Sequence, residues 1–217
     1  EEINRLLLDE ALKGNKVVRL KGGDPFLFGR GGEELELLAE NHIEYEVVPG
    51  VTSALAVPEY NGIPVTHRDF TSSLHIITGH KRAGEDYDID FKSLVRTKGT
   101  LIFLMGVSSL REICSGLMDA GMDGETPAAL LEKGTTAHQK RILAPVGTLA
   151  DEVQRLGAET PGIIVVGQVC QLAGRFSWYE SLPLGGWKVV LTRPAGMISR
   201  MAEKLRMAGA EVLELPS

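Results

Sequence analysis

The sequence predicts an α/β fold organised in more than one unit, and three observations carry that expectation. Segments with helical spacing of apolar residues alternate with short β-branched runs along most of the chain. The β-branched runs end in turns that contain glycine. Hydrophobic residues make up 43% of the 217, enough to bury a core, while the 24% charged residues match an ordinary globular surface. Strand–helix alternation of this kind argues for parallel β-α-β units.

In order, Ile3, Leu7 and Ala11, with Leu8 and Leu12 beside them, give a helical stripe. Val17 to Leu20 is a β-branched run ending at Lys21-Gly22-Gly23. Glu33 to Glu40 reads as a helix, Glu44 to Val48 as a strand ending at Pro49-Gly50, and Ser53 to Tyr60 as a short helix. Arg68 to Ser73 reads as a link between two α/β lobes. A second series follows with strands at Leu74 to Thr78 and Leu101 to Met105, and the polar stretch Lys81 to Asp90 as a loop between them. Ser109-x-x-Glu112 has the capping-box spacing of a helix start, and Gly121 sits where that helix should stop. Ala128 to Leu131 and Ile163 to Val166 are further strands. Thr148-x-x-Asp151 opens a helix with Leu149, Val153 and Leu156 on one face. After Gly185-Gly186-Trp187 comes one last unit: a strand at Lys188 to Leu191, a helix face of Met197, Met201 and Leu205, and a strand at Glu211 to Leu215. One such unit buries too little surface to be a domain by itself. The expected division is residues 1–70, 71–183 and 187–217.

The charge balance, 29 acids against 23 bases for a net −6, argues against a broad nucleic-acid surface. It leaves room for an anionic small substrate in a locally basic pocket. Two cysteines, Cys114 and Cys170, do not make a disulfide scaffold; they read as buried apolar thiols in a reducing cytoplasm. None of the five histidines pairs with a cysteine at metal-ligand spacing, so no metal site is expected. No apolar run approaches the ~20 residues of a membrane helix. The opening Glu1-Glu2-Ile3-Asn4 lacks an initiator Met and a signal peptide, and reads as the start of a fragment.

The densest chemical signal is Gly22-Gly23-Asp24-Pro25-Phe26-Leu27-Phe28-Gly29-Arg30-Gly31-Gly32-Glu33-Glu34. Five glycines in eleven residues, directly after an apolar run, suit a backbone that a ligand approaches closely. Asp24 is placed to accept hydrogen bonds from ribose hydroxyls or an amino group. The spacing is not the dinucleotide fingerprint, so a nicotinamide cofactor is not supported. Other run ends repeat the pattern more weakly: Thr52 and Ser53 after Val48-Pro49-Gly50-Val51, Met105-Gly106 after Phe103-Leu104, and Gly134-Thr135-Thr136 after Glu132-Lys133. Taken singly, these read as helix capping or a core methionine. Together they point to one ligand cleft.

Val17 to Glu34, Val48 to Ala54, Gly62 to Asp69, Ile77-Thr78-Gly79-His80 and Pro127 to Thr136 resemble uroporphyrinogen-III C-methyltransferases of the tetrapyrrole methylase family, over residues 1 to about 183. The Gly-Gly-Asp-Pro-Phe stretch with its Gly-Arg-Gly-Gly-Glu-Glu tail is the most specific part. The resemblance implies two α/β lobes with S-adenosylmethionine in the cleft between them, and a homodimer. It implies cofactor contacts at Gly22, Gly23, Asp24, Leu27, Thr52, Ser53, Met105 and Gly134. The family's first strand, its Gly-Pro-Gly-Asp loop and the aspartate and lysine proposed to handle protons have no counterpart here. No catalytic acid or base is therefore assigned, and turnover is not expected from these residues alone.

Lys188-Val189-Val190-Leu191-Thr192-Arg193-Pro194-Ala195-Gly196, with Gly209 to Val212, is similar to the start of uroporphyrinogen-III synthase. The implied parent is bifunctional, making uroporphyrinogen III and methylating it to precorrin-2 for sirohaem or cobalamin. A substrate with eight carboxylates calls for basic side chains, for which Arg30, His67, Arg68, His80, Lys81 and Arg82 are candidates. The alternatives are another methyltransferase of this fold and a non-catalytic ligand-binding fragment.

Overall fold

A computed structural model describes residues 2–79, 89–192 and 195–215, with side chains in the last span from residue 200 onward. The chain divides into two compact units, Glu1–Ser53 and Ala54–Ser217.

The first unit holds helices α1 (Glu2–Leu12) and α2 (Gly31–Glu40), which pack on each other. On α1, Leu7, Leu8 and Ala11 of the expected stripe are half-buried, while Ile3 and Leu12 at its ends are exposed. The strands expected at Val17–Leu20 and Glu44–Val48 do not form; among the described residues no ladder begins before Leu74. A β-branched run becomes a strand only beside a neighbour that pairs its N–H and C=O groups. These two runs lack one here, and Val18, Leu20 and Val48 stay 73–85% exposed.

The second unit opens with α3 (Ser53–Tyr60), whose Ala54 and Val57 are buried. Its sheet contains β1 (Leu74–Thr78), β2 (Thr100–Leu104), β3 (Pro127–Glu132), β4 (Lys140–Pro145) and β5 (Gly162–Val166), in the order β1-β2-β5-β3-β4. Only β1 and β2 pair in parallel; β2–β5, β5–β3 and β3–β4 are antiparallel. The sheet is therefore mixed rather than the parallel one expected. Between β3 and β4 the loop 133–139 is too short for a parallel crossover, which takes about a dozen residues or more.

Strand periodicity of two sends alternate residues to two cores. Leu101, Phe103, Leu130 and Ile164 face α5 (Leu110–Asp119) and α6 (Val146–Leu156), meeting Ile113, Leu117 and Leu149. Ile102, Leu104, Ala129, Leu131 and Val165 form the other core with Ala54, Val57 and Ile63. That packing puts residues 54–70 with the second unit, so the division at 53/54 falls earlier than the link expected at 68–73.

Of two expected helix starts, the one at Ser109 keeps its place without the side-chain cap and the other shifts. Ser109 makes no side-chain cap; a short 3-10 turn, Val107–Ser109, leads into α5 instead. Gly121 does end that helix, at φ +98 with its N–H on the Met118 carbonyl. The later helix begins at Val146, two residues before Thr148, and the Thr126 carbonyl satisfies the Val146 N–H. Leu149 and Val153 face the core as expected, but Leu156 is 51% exposed. A further helix, α4 (Phe91–Thr97), is capped by Asp90, which accepts the Ser93 N–H at 3.0 Å.

At the C-terminus, β6 (Lys188–Leu191), α7 (Ala195–Met207) and β7 (Glu211–Glu214) make the expected β-α-β unit, with β6 and β7 parallel in a sheet of their own. Leu191 and Ala202 centre its small core, joined by Val189, Leu205 and Val212. The Met197 side chain, Arg193 and Pro194 lie outside the described residues. Cys114 and Cys170 are buried free thiols, which desolvation pushes up to about 11 and about 12 respectively. Among the described residues no helix is long and apolar enough to cross a membrane.

Candidate cofactor site

In the first unit, Asp24 organises the glycine-rich segment. Its Oδ1 accepts the N–H groups of Phe26 at 2.9 Å and Leu27 at 3.2 Å; its Oδ2 accepts the Gly50 N–H at 3.1 Å. The bond from Gly50, then those from Phe26 and Leu27, hold the Asp24 carboxyl below its usual range. Asp24 thus clamps its own turn to the segment at Gly50, where a Cβ would strike the Gly23 carbonyl. Much of the hydrogen-bonding capacity of Asp24 is thereby spent on the backbone.

The glycines separate by cause. Gly29 and Gly31 are crowded by the Pro25 carbonyl, and Gly23 sits at φ +74. Gly22, like Gly32 inside α2, has neither constraint: its φ lies outside the left-handed region and a Cβ there would meet no atom within 4 Å. Internal packing does not require glycine at that position, whereas a ligand lying on the backbone would. Leu27 and Thr52 beside this turn are half-buried and Ser53 is exposed.

A brace that sequence reasoning missed ties the residues just before the turn to α2. Lys21 Nζ lies 2.9 Å from Glu34 Oε2, and Arg19 lies 3.2 Å from Glu34 Oε1, with Lys21 and Glu34 side chains only 13% and 12% exposed. Burial pushes the Glu34 carboxyl up, and the two cations outweigh it, leaving it below its usual range. The signal available was the acid pair that follows Gly31-Gly32. Arg30 is the left-handed residue before α2, at φ 58, 76% exposed and paired with Glu33 at 3.3 Å.

In the second unit, β1, β2 and β3 all run the same way, so their carboxyl ends share one sheet edge. Met105 follows β2 at φ 57 and is 55% exposed, an uncommon pairing of left-handed backbone and outward apolar side chain. Gly134 lies two residues past β3, with no room for a Cβ against Val57 of α3. Its neighbours Lys133 and Thr135 are left-handed, at φ 46 and φ 70. The amides of Lys133, Thr135, Thr136, Ala137, His138 and Gln139 all find acceptors. Among the described residues the Gly134 N–H finds none. Met105 and Gly134 are thus brought to one edge. Also there is Glu132, buried, with Oε1 3.5 Å from Lys133 Nζ and Oε2 unpaired among the described residues.

His67 closes a turn. It bridges to Thr71, its Nδ1 accepts the Asp69 N–H at 3.2 Å, and its ring lies 5.1 Å from that of Phe70. Arg68 is exposed. His80, Lys81 and Arg82 lie outside the described residues.

The tetrapyrrole (corrin/porphyrin) methylases match residues 1–150. Over 216 residues the chain is 55% identical to the porphyrin biosynthesis protein HemD of Ruminiclostridium josui, covering 100% of this chain and 43% of that protein. Over 181 residues it is 46% identical to a uroporphyrinogen-III C-methyltransferase of Bacillus subtilis, covering 83% of this chain and 70% of that one. The structure of uroporphyrin-III C-methyl transferase from Thermus thermophilus complexed with S-adenyl homocysteine aligns with a TM-score of 0.67 at 36% identity, over 78% of this chain and 74% of that one. The chain spans less than half the length of the HemD relative. The α/β fold is that of solved tetrapyrrole methyltransferases, and the chain belongs to the tetrapyrrole (corrin/porphyrin) methylase family.

Proposed function

We propose that this chain is the cofactor-binding part of an S-adenosylmethionine-dependent methyltransferase that converts uroporphyrinogen III to precorrin-2. We also infer that the parent is bifunctional, with residues 187–217 beginning a uroporphyrinogen-III synthase, and acts as a homodimer. The observation that carries the reading is Gly22: an open glycine that nothing internal requires, beside a turn that Asp24 holds in shape, in a chain of this family. Support also comes from the Thermus thermophilus relative, which was solved with S-adenyl homocysteine.

Gly22, Gly23 and Leu27 would offer backbone and apolar surface to the cofactor, and Thr52 and Ser53 two hydroxyls. Met105 would add a polarisable apolar contact, and Gly134 an amide donor. When bound, S-adenosylmethionine would supply an electrophilic methyl group to a nucleophilic pyrrole carbon. The residues around it orient that methyl and exclude water. Arg30, His67, Arg68 and His80 are the side chains proposed to meet the carboxylates of the substrate.

The test is methyl transfer by the full-length parent from labelled S-adenosylmethionine to uroporphyrinogen III. A doubly methylated product is expected. Label on a different tetrapyrrole alone would place the chain in another branch of the family.

A further inference from the structure

The loop 133–139 carries Gly134 and holds two residues, Lys133 and Thr135, in left-handed backbone. For a β-branched residue such as Thr135 that conformation is costly and persists only where surroundings enforce it. Part of the enforcement is local, and part reaches back to Tyr60. Gln139 Oε1 accepts the Thr135 N–H at 2.8 Å, its Nε2 donates to the Tyr60 carbonyl at 3.1 Å, and Thr136 Oγ1 donates to the Lys133 carbonyl at 2.7 Å. One restraint comes from much further along the chain. The Ala137 N–H donates to Glu211 Oε2 at 2.9 Å, across 74 residues.

Glu211 is well placed to hold that amide. It is the first residue of β7, its N–H is taken by the Trp187 carbonyl, and its Oε1 lies 2.7 Å from Lys188 Nζ on the paired strand β6. One carboxylate thereby joins the C-terminal β-α-β unit to the loop beside the candidate cofactor amide. The same unit is tied to the body again at Leu184, whose N–H donates to the Ala208 carbonyl at 2.8 Å.

We infer that Glu211 is a positioning residue for the Gly134 loop, coupling the C-terminal β-α-β unit to S-adenosylmethionine binding. The inference rests on the cofactor reading given above. Coupling of this kind is reciprocal: if the unit shapes the loop for ligand, ligand must stabilise the unit's contact with the loop.

The experiment uses the 217-residue chain and S-adenosylhomocysteine as probe. Hydrogen exchange is followed in the peptide spanning 133–139 without ligand, and affinity is measured by calorimetry. Glu211→Ala is expected to speed exchange in the loop and to weaken S-adenosylhomocysteine roughly five- to tenfold, the lower range of measured couplings. Glu211→Gln keeps an acceptor for the Ala137 N–H, and should recover most of both. Lys188→Met, which leaves that bond in place, should change the affinity less than Glu211→Ala. Unchanged loop exchange and unchanged affinity in Glu211→Ala overturn the inference. So does a loss in Glu211→Gln as large as that in Glu211→Ala, because the hydrogen bond would then not be its cause. If the unmutated chain binds no S-adenosylhomocysteine, the cofactor reading fails instead, and loop exchange alone judges the positioning of the loop by Glu211.

Discussion

Replacing Gly22 by alanine separates a ligand's demand on the backbone from the fold's own. A Cβ at Gly22 would meet no atom within 4 Å and needs no left-handed backbone. Removing a glycine under those conditions restricts the unfolded chain and stabilises by about 0.4–1 kcal/mol. If the cofactor lies on this backbone, the added methyl group overpacks the bound state, at a cost of about 1–3 kcal/mol. That corresponds to roughly 5- to 150-fold in affinity. Gly22→Ala should therefore raise the denaturant midpoint while weakening S-adenosylhomocysteine in calorimetry. Gly23→Ala is the counterpart: at φ +74 it should lose about 1–2 kcal/mol of stability with or without ligand. Opposite movement of stability and affinity is the signature for Gly22. Wild-type affinity in a folded Gly22→Ala chain would refute the reasoning that its openness serves a ligand.

Three further outcomes follow. The folded Asp24 carboxyl titrates below its unfolded value of about 3.9. Its contribution is therefore present above that value and lost as pH falls through the lower folded one. Asp24→Asn should be less stable than wild type near neutral pH, and the gap measured by denaturation should close below about pH 4; a gap that widens with acid would contradict the clamp. Met105→Ala removes an outward side chain, 55% exposed, so stability should stay within about 0.5 kcal/mol. Its affinity for S-adenosylhomocysteine should nonetheless fall at least about fivefold; equal affinity would remove Met105 from the site. Phe103→Ala empties a fully buried position on β2 and should cost about 3–5 kcal/mol at unchanged denaturant slope, whereas a loss below about 1 kcal/mol would mean the core is drawn wrongly.

What was legible in the sequence follows from local pattern. The run Leu101–Leu104 is apolar throughout because β2 is central and buried on both faces. The β6-α7-β7 unit and the bounds of α3 were equally readable. The antiparallel pairings were not, because periodicity marks a strand but not the direction of its neighbour. Strand β4 escaped notice because Lys140–Pro145 is an edge strand that leaves Leu143 47% exposed, diluting its apolar signal. The runs at Val17–Leu20 and Glu44–Val48 show the reverse failure, since propensity without a partner makes no ladder. At the site, the glycine cluster stood out, but not the division of labour within it. The Asp24 clamp depends on Gly50, 26 residues away, and the Lys21–Glu34 brace spans 13. Contacts between distant residues of that kind leave no periodic trace.

The most direct test of the account is hydrogen exchange along the whole chain with and without S-adenosylhomocysteine. The account predicts slowed exchange in the peptides that contain Gly22 to Leu27, Thr52 and Ser53, Met105, and Gly134, with little change at α6 and β4. No protection anywhere, or protection that avoids both the Gly22 turn and the Met105 edge, would contradict it.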